Sequence, residues 1–71
     1  MITEYMTLET ISDAHLWAAQ MGLETASQER NVANYIWEHK PAIGCSYEEF
    51  EAANPEFENE ETFWDICEGN F

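Results

Sequence analysis

Basic side chains are nearly absent from this sequence. Arg30 and Lys40 are the whole supply against 15 Asp plus Glu, which leaves a formal net charge of −13. A chain so charged is repelled by DNA, RNA and anionic membranes and attracted to basic surfaces. Glycine is scarce as well, with three residues in 71. There is no Gly-rich phosphate loop, no Gly-x-Ser-x-Gly elbow, no His-Glu-x-x-His pair and no EF-hand loop. Long apolar runs are missing too. The longest are a few residues, far below the ~18 needed to span a bilayer, and the first residues carry neither a basic nor an apolar leader pattern. The expectation is a cytoplasmic protein that does not engage membranes. Of two cysteines, Cys45 and Cys67, neither belongs to a Cys-x-x-Cys pair. Reduced thiols are expected in that compartment in preference to a single staple between them.

What is present argues for a folded chain. Hydrophobic residues make up 45% of the sequence and ten residues are aromatic, more than a disordered acidic tail carries. The length allows one core, so residues 1–71 are read as a single small acidic domain. Residues 1–6 are either a short extended arm or the approach to a helix capped at Thr7. From Leu8, the residues Leu8, Ile11, Ala14, Ala18 and Met21 recur every three or four positions. This predicts a helix to about Met21, with His15 and Trp17 at the edges of its buried stripe. Gly22 stops it in a left-handed conformation, followed by Leu23 for hydrophobic closure.

Thr25-Ala26-Ser27-Gln28 has the capping-box pattern and opens a second helix, about Ala26 to His39. That helix should bury Val32, Ile36 and either Tyr35 or Ala33. Pro41 ends it, and His39 and Lys40 suit its negative end. Ser46-Tyr47-Glu48-Glu49 is a second capping box, opening a short helix through about Ala53 with Tyr47, Phe50 and Ala53 on one face. After Asn54-Pro55, a loop through Phe57 and Glu58 leads to Asn59. That residue caps a last helix of about Glu60 to Glu68, with Phe63, Ile66 and Cys67 inward and Gly69 as terminator. The fold class expected is all-α, a compact bundle of about four helices, two longer and two short. The short pair needs tertiary support, since isolated helices below ~12–15 residues are marginal in water.

Chemistry is harder to find. His15, His39, Cys45 and Cys67 are zinc-ligand types, but spacings of 24, 6 and 22 match no paired-ligand pattern. A helix-face histidine, a helix-end cation and two small buried thiols are the preferred assignments. A Cys–His nucleophile is disfavoured because neighbouring acids raise a thiol's pKa. Carboxylate pairs are plentiful, yet acid–base catalysis needs one carboxyl desolvated relative to its partner, whereas this is a solvated field. The expectation is no enzyme, no cofactor and no metal.

Charge is concentrated instead. Residues 1–40 hold six acids and two bases (−4), and residues 41–71 hold nine acids and no base (−9). Glu48, Glu49, Glu60 and Glu61 fall in first helical turns, where the macrodipole stabilises each by about 0.3–1 kcal/mol at low salt. Glu61, Asp65 and Glu68 form an i, i+4, i+7 stripe of like charge ending at a helix C-terminus, which helix stability does not explain. A halophile-type surface would be acidic all over rather than in one half. Phe57, Trp64 and to a lesser degree Tyr47 stand beside the acids and look too numerous for so small a core. Aromatic anchors within a charged rim are what a binding face needs. The partner-binding residues read from this pattern are Glu48, Glu51, Glu56, Phe57, Glu58, Glu61, Trp64, Asp65 and Glu68.

Duplex DNA carries one phosphate per ~1.7 Å of axis, and carboxylates ~5–6 Å apart on a helix imitate part of such a row. On the nine acids of residues 48–68 with Phe57 and Trp64, the chain resembles the small acidic phage-encoded inhibitors of anti-CRISPR or anti-restriction type that mimic DNA. The resemblance is one of charge and size. Members of that class share no single fold, so it transfers no individual residue. It implies competition for a basic nucleic-acid-binding protein or complex, such as a CRISPR effector or restriction system, in a bacterial host's cytoplasm. The alternative is an adaptor, antitoxin or regulatory subunit with an aromatic-centred interface and no mimicry.

Overall fold

A computed structural model describes residues 7–70. Four helices follow in chain order: α1 (Ile11–Gln20), α2 (Ala26–His39), α3 (Tyr47–Ala53) and α4 (Glu60–Glu68). Two two-residue strands, β1 (Thr7–Leu8) and β2 (Cys45–Ser46), pair antiparallel, with Thr7 opposite Ser46 and Leu8 opposite Cys45. A 3-10 turn, Pro55–Glu58, joins α3 to α4. The arrangement is the mostly helical, four-helix bundle expected, with the strand pair as an addition. The arm assigned to residues 1–6 lies outside the described residues.

Local chemistry sets three of the four helices where the sequence places them. Thr25 Oγ1 accepts the Gln28 N–H at 3.1 Å, while the Gln28 side chain reaches back to the Glu24 N–H, also 3.1 Å, one residue beyond the expected box. At α3 the Ser46–Glu49 box is reciprocal, Glu49 N–H to Ser46 Oγ at 3.2 Å and Ser46 N–H to Glu49 Oε1 at 3.3 Å. Asn59 Oδ1 accepts from Thr62 N–H at 3.1 Å to open α4. Each cap satisfies a backbone donor that the first turn leaves orphaned. His39 Nδ1, 3.0 Å from the Tyr35 carbonyl, and Lys40 Nζ, which donates to the Trp37 carbonyl at 3.1 Å, close the C-terminal turn of α2. Lys40 also lies 3.8 Å over the Trp37 ring.

The first helix departs from expectation. It starts at Ile11, capped at Thr10, not at Leu8 after a Thr7 cap. The cause is Asp13, whose carboxylate accepts the N–H groups of Glu9 (2.9 Å) and Thr10 (3.0 Å) and fixes the first turn there. Those bonds hold the Asp13 carboxyl below the usual carboxylate range. Leu8 is thereby released to the strand pair, where its carbonyl accepts the Gly44 N–H at 2.6 Å and its side chain is fully buried. The buried stripe turns accordingly. Trp17, expected at an edge, is fully buried with Ala14 and Ala18, and Ile11, expected inside, is 47% exposed.

The core gathers Leu8, Trp17, Val32, Ile36, Phe50, Ile66 and Cys67 around α2, against which α1 and α4 pack. Ala33 and Tyr35 are both buried beside Val32 and Ile36. Each large apolar side chain so buried contributes about 1.5–3 kcal/mol before the opposing chain entropy is subtracted. Asn54, the one buried polar residue described, donates to the carbonyls of His39 (2.9 Å) and Phe50 (3.1 Å), tying the end of α3 to the end of α2. Asn31 donates to the Cys67 carbonyl at 2.8 Å and ties α4 to the same helix. Ala53, expected on the inner face of α3, is exposed, because the chain turns at Asn54 before that position meets the core.

Candidate functional site

The acidic residues singled out in the sequence fall into three groups. The first is the outer face of α4. Ile66 and Cys67 are buried and Phe63 half-buried, so the opposite side of the helix presents Glu61, Asp65 and Glu68 to solvent together with Glu60. Trp64 stands among them, 48% exposed, with Glu60 and Glu68 one turn to either side. Asn70 Nδ2 donates to Glu68 at 3.3 Å, and no Lys or Arg occurs within residues 41–71.

The second group spans the gap between α3 and the 3-10 turn. Glu51 and Glu58 meet here, close enough to share a hydrogen bond. Two carboxylates in that position repel unless one holds a proton, and the Glu51 carboxyl is pushed up to about 7. The hydrogen bond to Glu58 is the main cause, with burial and the charges of Glu58 and Glu48 adding to it. Tyr47, half-buried on the same side, is pushed up to about 12 by burial and then by Glu51 and Glu58. Beside this pair runs an open groove of 560 Å³, lined by Met21, Tyr47, Phe57, Glu58, Glu60 and Phe63.

Glu56 is separate from both. It accepts the Tyr35 hydroxyl at 2.9 Å, and its carboxyl is held below the usual range by its own backbone N–H, by Tyr35 and by His39. Tyr35 stacks on His39 with ring centroids 4.0 Å apart, so Glu56 caps an aromatic stack on α2 rather than joining the α4 face. Phe57 requires a correction. Expected as an exposed anchor, it is 3% exposed and packs against Tyr35 (5.7 Å), Phe50 (5.2 Å) and Phe63 (5.4 Å). The 3-10 turn directs its ring into the space between α2, α3 and α4, where an exposed phenyl gains most from leaving water.

Met21, Glu60 and Phe63 are groove residues that the sequence pattern does not single out. The pattern reads Met21 and Phe63 as inward and Glu60 as serving helix stability alone. Their common signal is position at the edge of a buried face, which becomes a groove wall only once two elements diverge. Both cysteines are free and buried, and burial, with the neighbouring Glu68, raises the Cys67 thiol above its usual pKa. The described residues contain no cluster of three or more His, Cys, Asp or Glu able to hold a metal ion, and no helix among them is long and apolar enough to cross a membrane. No protein-family model, curated protein or solved structure matches the chain.

Proposed function

We propose that the protein is an inhibitor that occupies the nucleic-acid-binding surface of a basic protein or complex, presenting the outer face of α4 in place of a phosphate row. The observation that carries this reading is the uncompensated stripe Glu61, Asp65 and Glu68 around a half-exposed Trp64. At ~1.5 Å per residue the stripe covers about 10 Å of helix axis, and one strand of duplex DNA places about three phosphates in that length. The carboxylates, about 6 and 4.5 Å apart along that axis, imitate part of such a row. Binding would exchange Lys and Arg contacts from phosphate to carboxylate, and encounter would be steered by the −9 of the C-terminal half. A CRISPR effector or a restriction complex has the basic channel this requires.

The test is capture on the immobilised protein from a bacterial lysate at low salt, followed by elution with duplex DNA. Release of a DNA-binding protein by DNA and by moderate salt is expected. A partner that resists both, and is lost instead on Trp64→Ala, would favour an aromatic-centred adaptor, antitoxin or regulatory subunit. Half-exposure of an indole is the observation on that side.

A further inference from the structure

The groove beside α4 is apolar in its buried part and acidic at its exposed edge. Phe57 is buried, Met21, Tyr47 and Phe63 are half-buried, and Glu58 and Glu60 are exposed. It opens where four elements diverge. Met21 follows α1, Tyr47 begins α3, Phe57 and Glu58 belong to the 3-10 turn, and Glu60 and Phe63 to α4. Two walls are braced by further rings: Tyr47 meets Trp17 edge to face at 5.1 Å, and Phe63 meets Phe57 in the same way at 5.4 Å. Those rings are held in place before anything binds, so little ordering cost remains to be met on association. Met21 supplies an adaptable wall. We propose that this groove receives the apolar face of a basic amphipathic helix of a partner protein. Two large apolar side chains one turn apart sit on Tyr47, Phe57, Phe63 and Met21, and flanking Lys or Arg residues meet Glu58 and Glu60. The proposal rests on the reading of the partner as basic and adds an apolar contact to the charged face of α4.

Size, charge and backbone chemistry select that occupant. The volume of 560 Å³ lies within the ~300–1,000 Å³ of clefts that enclose a ligand, and helix side chains three or four residues apart stand ~5–6 Å from each other, close enough to share it. Carboxylates line the groove and residues 41–71 contain no Lys or Arg to pair with them. A basic helix gains attraction there in addition to apolar burial, a neutral one gains burial alone, and an acidic one is repelled. The same charge disfavours a second copy of this chain, because two molecules of −13 repel. An extended peptide finds no strand to extend, since the described residues hold two strands of two residues each, paired with each other. A helix satisfies its own backbone and offers only side chains, which suits a groove walled by side chains.

The experiment titrates synthetic peptides of about 15 residues, long enough to begin holding a helix in water, into the isotope-labelled full chain and follows amide and methionine methyl shifts. One peptide carries two Leu residues at i and i+4 among Lys, Arg and Ala. A second keeps the cations and replaces both Leu by Ser, and a third keeps both Leu and replaces the cations by Glu. Saturable shifts centred on Met21, Tyr47, Glu60 and Phe63 are expected with the first, and binding of the other two weaker by roughly tenfold or more. Met21→Gln, a polar replacement of similar length at a half-buried position, should weaken the first peptide roughly tenfold. The double variant Glu58→Lys, Glu60→Lys should lose the first peptide and gain the third, an exchange that misfolding cannot produce. Equal binding of the Ser or the Glu peptide to the parent chain would overturn the docking site. So would shifts confined to Trp64 and the outer face of α4, no saturable shift in the groove, or concentration-dependent shifts of the same residues without peptide. The wider reading fails separately: if the Leu peptide fills the groove while DNA leaves the captured partner in place, the groove stands and the mimicry does not.

Discussion

Single residues show how closely local chemistry and tertiary placement are tied. Asn54 is buried because both of its donated bonds are made, to His39 and Phe50. Asn54→Ala strands the His39 carbonyl at the junction of α2 and α3, while the Phe50 carbonyl keeps the backbone N–H of residue 54 at 3.0 Å, and should cost about 1–3 kcal/mol in urea unfolding, with no change in helix content of the folded state. At Glu51 the expected effect has the opposite character. Its carboxyl titrates at about 7 in the fold and at the ordinary value of 4.5 once the chain unfolds. The folded state therefore holds more protons across that window, and stability must fall as pH rises from about 4.5 to about 7, then level off. The urea midpoint should be lower at pH 8 than at pH 6, and Glu51→Gln should flatten the profile by raising the pH 8 value. A midpoint that climbs over that interval would show the pair to be apart. None of this is readable from composition. Glu51 and Glu58 are seven residues apart across a helix end and a proline, and only the path of the 3-10 turn brings them together. Burial of Phe57 is illegible for the same reason, since the direction of its ring depends on the gap that α2 leaves beneath it.

At the level of elements, caps and stops make most of the fold legible. α2, α3 and α4 begin and end where Thr25, Ser46 and Asn59 open them and Lys40, Asn54 and Gly69 close them. These signals act within a turn, so they survive any tertiary arrangement. The strand pair is illegible because two residues carry no period. Without it, the start of α1 is misplaced by three residues and Trp17 is set at the edge of the stripe instead of its centre. The outer face of α4 is legible because a regular helix converts spacing into direction without reference to neighbours. Its terminator offers a test. Gly69 sits at φ 78°, and an added Cβ would come within 3.3 Å of Asn31 Nδ2, the group that holds the Cys67 carbonyl. Gly69→Ala therefore combines left-handed strain, about 1–2 kcal/mol, with disturbance of the α2–α4 tie. Gly22 at φ 70° has nothing within 4 Å, so Gly22→Ala should show the strain alone. Thermal unfolding of the two variants should rank Gly69→Ala as the more destabilised.

Across the whole molecule, charge and stability pull in opposite directions. A domain of this length holds roughly 4–10 kcal/mol of net stability, and a net charge of −13 works against it. Added salt should raise the melting temperature while weakening capture of a basic partner, because screening relieves repulsion within the protein and attraction between the proteins alike. The stripe on α4 sharpens this into a single variant. In Glu61→Gln, Asp65→Asn, Glu68→Gln, the Glu61–Asp65 and Asp65–Glu68 repulsions vanish, each about 0.2–0.5 kcal/mol, and a carboxylate leaves the negative end of the helix. Together these gains outweigh the loss of the first-turn dipole contribution of Glu61, about 0.3–1 kcal/mol. The triple variant should melt higher than the parent and bind its partner at least tenfold more weakly, with a shallower dependence on salt. Stabilised protein with unimpaired binding would place the interface elsewhere. Lost binding together with lost stability would mean that the stripe supports the fold, contrary to its exposure. Only the combination of gained stability and lost affinity follows from carboxylates that serve a partner at the expense of their own helix.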